Sequence, residues 1–305
     1  MHSTARSHVI TRRVATIVAV FALVIVEVGA HPVSAAAPQF DPPKRYYLAL
    51  GDSLAFGYQQ AKIDQPLAQT GTVDPAAFTT GYVDDLAQML GAIRPGIETV
   101  NYGCPGETST QFLSSSGCPT YPFPLHDGYA TSQLDAALAF LRAHPGQVGP
   151  ITLDIGTNDV GVVVSQCGGY ATTSLPCIDE RLPGVLAQIA TNLDRIVGAL
   201  RAAAPSSEIL VLEYYNPAAV IPALVGPSDA IVGALNQAIA GAALPYGARL
   251  ADAFAPFNLA PQEPQTLCVL TLMCSAHPDI HASDAGYLVI SQQFWAASGY
   301  AQLLD

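Results

Sequence analysis

The sequence predicts a three-layer α/β/α sandwich around a central, mostly parallel sheet, and three observations carry that reading. Strand-like and helix-like runs alternate from about residue 45 to the C-terminus, the order that builds a parallel sheet covered on both faces. Half of the 305 residues are hydrophobic and 12% are charged, which excludes intrinsic disorder. No internal repeat, low-complexity linker or composition break follows residue 40, so one domain with decorated loops is expected.

Each element has its own signal. Arg45–Leu50 is a short buried strand ended by Gly51, and Gly81–Leu90 has helical spacing through Tyr82, Leu86 and Leu90. Glu98–Tyr102 reads as a strand ending at Gly103. Ser132–Ala143 is an amphipathic helix closed by Pro145-Gly146. Pro150–Ile155 is a strand stopped by Gly156. Leu182–Ala203 lines Leu186, Ile189, Leu193, Ile196, Val197 and Leu200 along one helical face. Glu208–Leu212 is a strand, Ser228–Ala242 a helix, Ala248–Asp252 a short last strand, and Ser283–Leu304 a closing helix. Residues 59–80, 104–130 and 160–182 are rich in Gly, Ser, Thr and Pro and are expected to be long loops.

The N-terminus reads as a signal peptide over residues 1–35. Arg6, Arg12 and Arg13 precede a run from Val14 to Val26 that is apolar except for Thr16, and Val33-Ser34-Ala35 offers the small residues a signal peptidase needs. The run is too short to span a bilayer comfortably, since about 20 apolar residues are needed. An extracellular domain over 36–305, without stable membrane insertion, is therefore expected. Residues 1–35 hold three Arg and one Glu, so cleavage would move the formal charge from −12 to −14. With two lysines, Lys44 and Lys62, the chain lacks the basic surface that nucleic acid requires.

Six cysteines fit export: Cys104, Cys118, Cys167, Cys177, Cys268 and Cys274. Six allow 15 disulfide pairings. Their grouping into three close couples favours Cys104–Cys118, Cys167–Cys177 and Cys268–Cys274. No C-x-x-C couple is present, and the spacings do not suit a zinc site. His277 and His281 flank Asp279, but Pro278 disfavours a continuous helix there, so no metal is expected.

Ligands of an open parallel sheet bind beyond the carboxyl ends of its strands, so the loops leaving those ends carry the chemistry. They hold Gly51-Asp52-Ser53-Leu54, Asn101-Tyr102-Gly103-Cys104 and Gly156-Thr157-Asn158-Asp159, with His277-Pro278-Asp279-Ile280-His281 near the C-terminus. A serine on a tight strand-to-helix turn, amide donors for an oxyanion and a histidine base are the parts of acyl transfer. The nucleophile-elbow pattern G-x-S-x-G is absent because Ala55 stands at its second Gly.

Gly51-Asp52-Ser53-Leu54, followed in order by Gly103, the Gly156–Asp159 block, and His281 with Gly286-Tyr287, resembles the GDSL, or SGNH, hydrolases over about residues 45–300. The cysteine couples and long loops look most like their secreted actinobacterial esterase/lipase branch. The resemblance implies a flavodoxin-like sheet, Ser53 as nucleophile, His281 as base, and an oxyanion hole from Ser53, Gly103 and Asn158. It implies no cofactor, and a monomer is expected. One departure stands out: the family places its Asp three residues before the His, and here that residue is Pro278. Either Asp279, two residues before His281, orients the imidazole, or a backbone carbonyl near 277–279 does. The expected reaction is hydrolysis of a lipid-like acyl ester. A carbohydrate O-acetyl esterase or phospholipase is the rival within the family, and a non-catalytic secreted binding protein the rival outside it.

Overall fold

The computed structural model describes residues 42–259 and 262–304, so the signal-peptide reading of 1–35 lies outside the described residues. Five strands form its sheet: β1 (Tyr46–Gly51), β2 (Glu98–Asn101), β3 (Val148–Asp154), β4 (Ile209–Glu213) and β5 (Arg249–Asp252). Every residue of β1 and β3 is buried, as the apolar strand runs predict for a sheet covered on both faces. All pairings are parallel, in the order β2-β1-β3-β4-β5. The order reverses between β1 and β3, which opens a crevice beyond the carboxyl ends of those two strands.

The helices are α1 (Ser53–Phe56), α2 (Ala61–Thr70), α3 (Tyr82–Ile93), α4 (Ser109–Ser114), α5 (Gln133–Ala143), α6 (Thr157–Gln166), α7 (Leu175–Ala203), α8 (Val225–Ala243), α9 (Phe254–Phe257), α10 (Glu263–Leu270) and α11 (Asp284–Ser298). α3 packs on α11 in one layer, and α5 and α8 pack on α7 in the other. α7 lays Ile189, Leu193, Ile196, Val197 and Leu200 into the core, each fully buried, matching the predicted stripe.

The three expected loops are not wholly irregular. Residues 59–80 contain α2, 104–130 contain α4, and 160–182 contain most of α6 and the start of α7. α4 is held by a capping box in which Thr108 and Gln111 satisfy each other's backbone amides. α7 begins at Leu175, seven residues earlier than its apolar stripe suggests, and continues through Pro183. Buried Ile178 and the Cys167–Cys177 bridge anchor that first stretch. The closing helix is shorter than expected: Gly299, with φ 73°, ends α11 and a 3-10 turn follows. The three cysteine couples pair sequentially, as their grouping favours. A smaller apolar cluster of Phe56, Ile63, Val73, Phe78 and Tyr121 ties the 59–80 and 104–130 segments together beside the crevice.

Candidate active site

Ser53 enters the crevice because β1 stops at Gly51 and a four-residue helix starts at once. Asp52 caps that helix, its Oδ1 accepting from the Leu54 amide at 3.0 Å. The buried carboxyl of Asp52 also accepts from Tyr214 Oη at 3.0 Å. Burial pushes Asp52 up to about 6 despite those bonds, so it braces the serine turn and does not face solvent.

Ser53, His281 and Asp279 come together in one hydrogen-bonded line. Ser53 Oγ lies 2.8 Å from His281 Nε2, and His281 Nδ1 lies 2.5 Å from Asp279 Oδ1. The two-residue spacing works because the Asp279 carboxylate folds back on its own turn: Oδ1 also accepts from the His281 amide at 3.1 Å. Oδ2 accepts from the Gln60 amide at 2.8 Å. Burial alone would raise this carboxyl, but bonding to His281 and the two amides outweighs it and holds Asp279 below the usual carboxylate range. Of the two alternatives for orienting the imidazole, the geometry has the carboxylate in place.

The loop bearing His281 is braced by residues the sequence alone did not single out. Tyr58 lays its ring 4.7 Å from the imidazole, and Gln59 Nε2 donates to the Ala282 carbonyl at 3.1 Å. Tyr215 Oη donates to the Ile280 carbonyl at 2.8 Å. Placement directly after the Gly51-Asp52-Ser53-Leu54 run is the one local hint for Tyr58, Gln59 and Gln60. Tyr215 has none, because its contact spans 65 positions.

Asn158 sits in the first turn of α6, beyond β3, and lines the cleft with Ser53 and His281. Its Nδ2 donates to the Glu107 carbonyl at 3.1 Å. Gly103 is a correction. Its amide donates to Asn101 Oδ1 at 2.8 Å, and its α-carbon packs under α1, where a Cβ would stand 2.6 Å from the Phe56 nitrogen. It is therefore a close-packing glycine with its N–H consumed. Gly106, three residues on, lines the cleft beside Ser53 and Asn158. It takes φ +81°, a conformation L side chains rarely adopt. Among the described residues the Gly106 and Ser53 amides have no acceptor. Asp159 braces a neighbouring element, accepting from the Ser109 amide and hydroxyl at 2.7 Å each.

The cleft holds about 240 Å³ between Tyr58, Gly106, Tyr121 and the Ser53–His281 pair. Among the described residues, no group of three or more His, Cys, Asp or Glu stands together to hold a metal ion. A hydroxyl, an imidazole, a carboxylate and amide donors meeting in one crevice can carry out acyl transfer.

The family profile of the GDSL-like Lipase/Acylhydrolase family matches residues 49–289. The chain belongs to that family and is a hydrolase of the GDSL type. An extracellular lipase from Streptomyces rimosus is similar at 18% identity and TM-score 0.53, covering 83% of this chain and 99% of its own. An acetyl xylan esterase from Geobacillus stearothermophilus is similar at 16% identity and TM-score 0.51, over 85% of this chain and 97% of its own. A phospholipase A1 from Streptomyces albidoflavus is similar at 19% identity and TM-score 0.50, over 86% and 98%. At these identities the likeness is one of fold. No curated protein sequence matches the chain.

Proposed function

We propose that this chain is a secreted serine carboxylic-ester hydrolase acting through an acyl-enzyme on Ser53, with a lipid-like acyl ester as substrate. The observation that carries the reading is the unbroken line Asp279–His281–Ser53, at 2.5 and 2.8 Å, opening into a cleft beside Asn158. Ser53 Oγ bonds to the ester carbonyl carbon as its proton passes to His281 Nε2, and the carbonyl electron pair moves onto oxygen. That oxyanion takes hydrogen bonds from the Ser53 amide, the Gly106 amide and the Asn158 side chain, with Gly106 in the role expected of Gly103. Asp279 keeps the imidazole tautomer and stabilises the imidazolium without taking the proton.

The bond to the alcohol oxygen then breaks, and His281 gives that oxygen its proton. Water repeats the cycle on the acyl-enzyme. Its proton goes to His281, its oxygen bonds to the acyl carbon, and Ser53 leaves with the proton returned. One ester and one water become one acid and one alcohol.

Residues 1–35 are assigned to export and 36–305 to one catalytic unit. Three closed disulfides support an oxidising destination. A fluorophosphonate probe is expected to label the wild type and to miss Ser53→Ala, which should also lose hydrolysis of 4-nitrophenyl esters. No label on the wild type, or equal label on Ser53→Ala, overturns the reading.

A further inference from the structure

A second space adjoins Ser53 and shares Asn158, Ile280 and His281 with the open cleft. A passage of about 40 Å³ leaves Ser53 and His281 between Leu54, Tyr215 and Ile280. It shares Asn158, Tyr215 and Ile280 with a larger cavity of about 110 Å³. That cavity is walled by α6, the loop closed by Cys167–Cys177, the first turns of α7, the turns at 217–224 and α8. Its surface is chiefly aliphatic, with Val160, Val164, Ile178, Leu224, Ile231 and Leu235 facing inward.

Several polar groups in this wall are already used, although the Thr157 and Tyr170 hydroxyls line it as well. Asn216 Nδ2 donates to Ser228 Oγ and to Asp229 Oδ1, each at 2.7 Å, and its Oδ1 accepts from the Ala218 amide at 3.0 Å. Ser228 Oγ donates to the Leu224 carbonyl at 2.6 Å, and Tyr215 Oη is spent on the Ile280 carbonyl. A sugar hydroxyl set against the aliphatic side chains would lose its water and gain little in return, which is costly. An alkyl chain loses nothing. The two spaces also suit the two halves of an ester differently. The acyl group stays bonded to Ser53 until water attacks, whereas the alcohol must depart, and the open cleft is its exit.

We propose that this cavity receives the acyl chain and makes the protein selective for short- to medium-chain acyl esters, an inference that rests on Ser53 being the nucleophile. An apolar cavity of about 150 Å³ takes a six-carbon ring, about 25 Å³ for each carbon, so 110 Å³ admits about four methylene-sized groups. With the passage of about 40 Å³ included, the optimum falls at acyl chains of about 4 to 8 carbons. Each methylene buried should raise kcat/KM roughly three- to fourfold until the cavity is full. The wall between residues 167 and 177 is pinned by its disulfide at both ends, so longer chains meet a fixed end.

The test is kcat/KM for 4-nitrophenyl esters from acetyl to palmitoyl, with active sites counted by fluorophosphonate titration, in the wild type and two opposed variants. Gly161 lines the cavity, and a Cβ there meets open space, so Gly161→Phe is expected to cut the hexanoyl-to-acetyl ratio at least tenfold. Ile231→Ala, which deepens the cavity, is expected to move the optimum to longer chains. The wild-type optimum should lie at about 4 to 8 carbons, with palmitoyl at least tenfold worse. A labelled, active enzyme with a flat profile or an acetyl optimum overturns the proposal, as does a ratio unmoved by Gly161→Phe. A chain-length preference that Gly161→Phe abolishes among alkyl acetates, and not among acyl esters, would instead put the alcohol in the cavity and also overturn it. Absence of both labelling and hydrolysis would be a failure of the hydrolase reading itself.

Discussion

Asp279 does two jobs with one carboxylate. It meets His281 at the ring and at the backbone, and it receives the Gln60 amide. Asp279→Asn keeps the shape but supplies an amide where the imidazole N–H needs an acceptor. It is therefore expected to lose at least about a hundredfold in kcat/KM for 4-nitrophenyl esters, and a loss below tenfold would favour a dyad. Ser53, Asn158 and His281 line one cleft, and in the sequence it was the order of four blocks, not any one turn, that singled them out. Gly106 was not singled out, since it lies in one loop with Gly103 and which amide reaches the cleft depends on the fold. A signal existed nonetheless. Asn side chains often accept from the amide two residues on, and Asn101 takes Gly103 out of reach in that way.

At the level of elements, strands and long helices followed from apolar runs, whereas short helices did not. α4 buries only Ser109 and Phe112, so no periodic stripe marks it. Its Thr108-x-x-Gln111 capping box is a sequence signature that periodicity ignores. Thr108→Ala removes the cap and is expected to cost about 1 kcal/mol. In a chain of this size that lowers Tm by roughly 2–4 °C, and an unchanged melting curve would show that the cap is idle. The start of α7 was illegible for a different reason. Pro183 ordinarily argues for a boundary, yet a disulfide to the preceding loop keeps the helix going.

Across the whole molecule, three acidic groups stand where charge is least expected. Asp52, Glu107 and Asp154 are all fully buried beneath the serine turn. Burial pushes Glu107 up to about 8 and Asp154 well above its usual range. Glu107 accepts from Gln133 Nε2 at 2.5 Å, while its Oε1 has no partner among the described residues. Such groups hold protons in the folded state that the unfolded chain releases, so stability is full below an ordinary carboxyl's pKa. For Glu107 it declines as pH rises from about 4.5 through about 8. The wild type should melt at falling temperatures over that range, and Glu107→Gln should flatten the decline; parallel curves for the two proteins would contradict it. The disulfides divide the molecule along another line. Each closes a loop of 14, 10 or 6 positions beside the crevice, and none joins one strand to another. The strand framework thus owes nothing to oxidation, while the rim that meets substrate does. Reduced protein is expected to keep its far-ultraviolet dichroism while its discrimination among acyl chains broadens, and loss of the dichroism would refute this. Selectivity, on that view, is set by the redox state of the surroundings, on a hydrolase already folded.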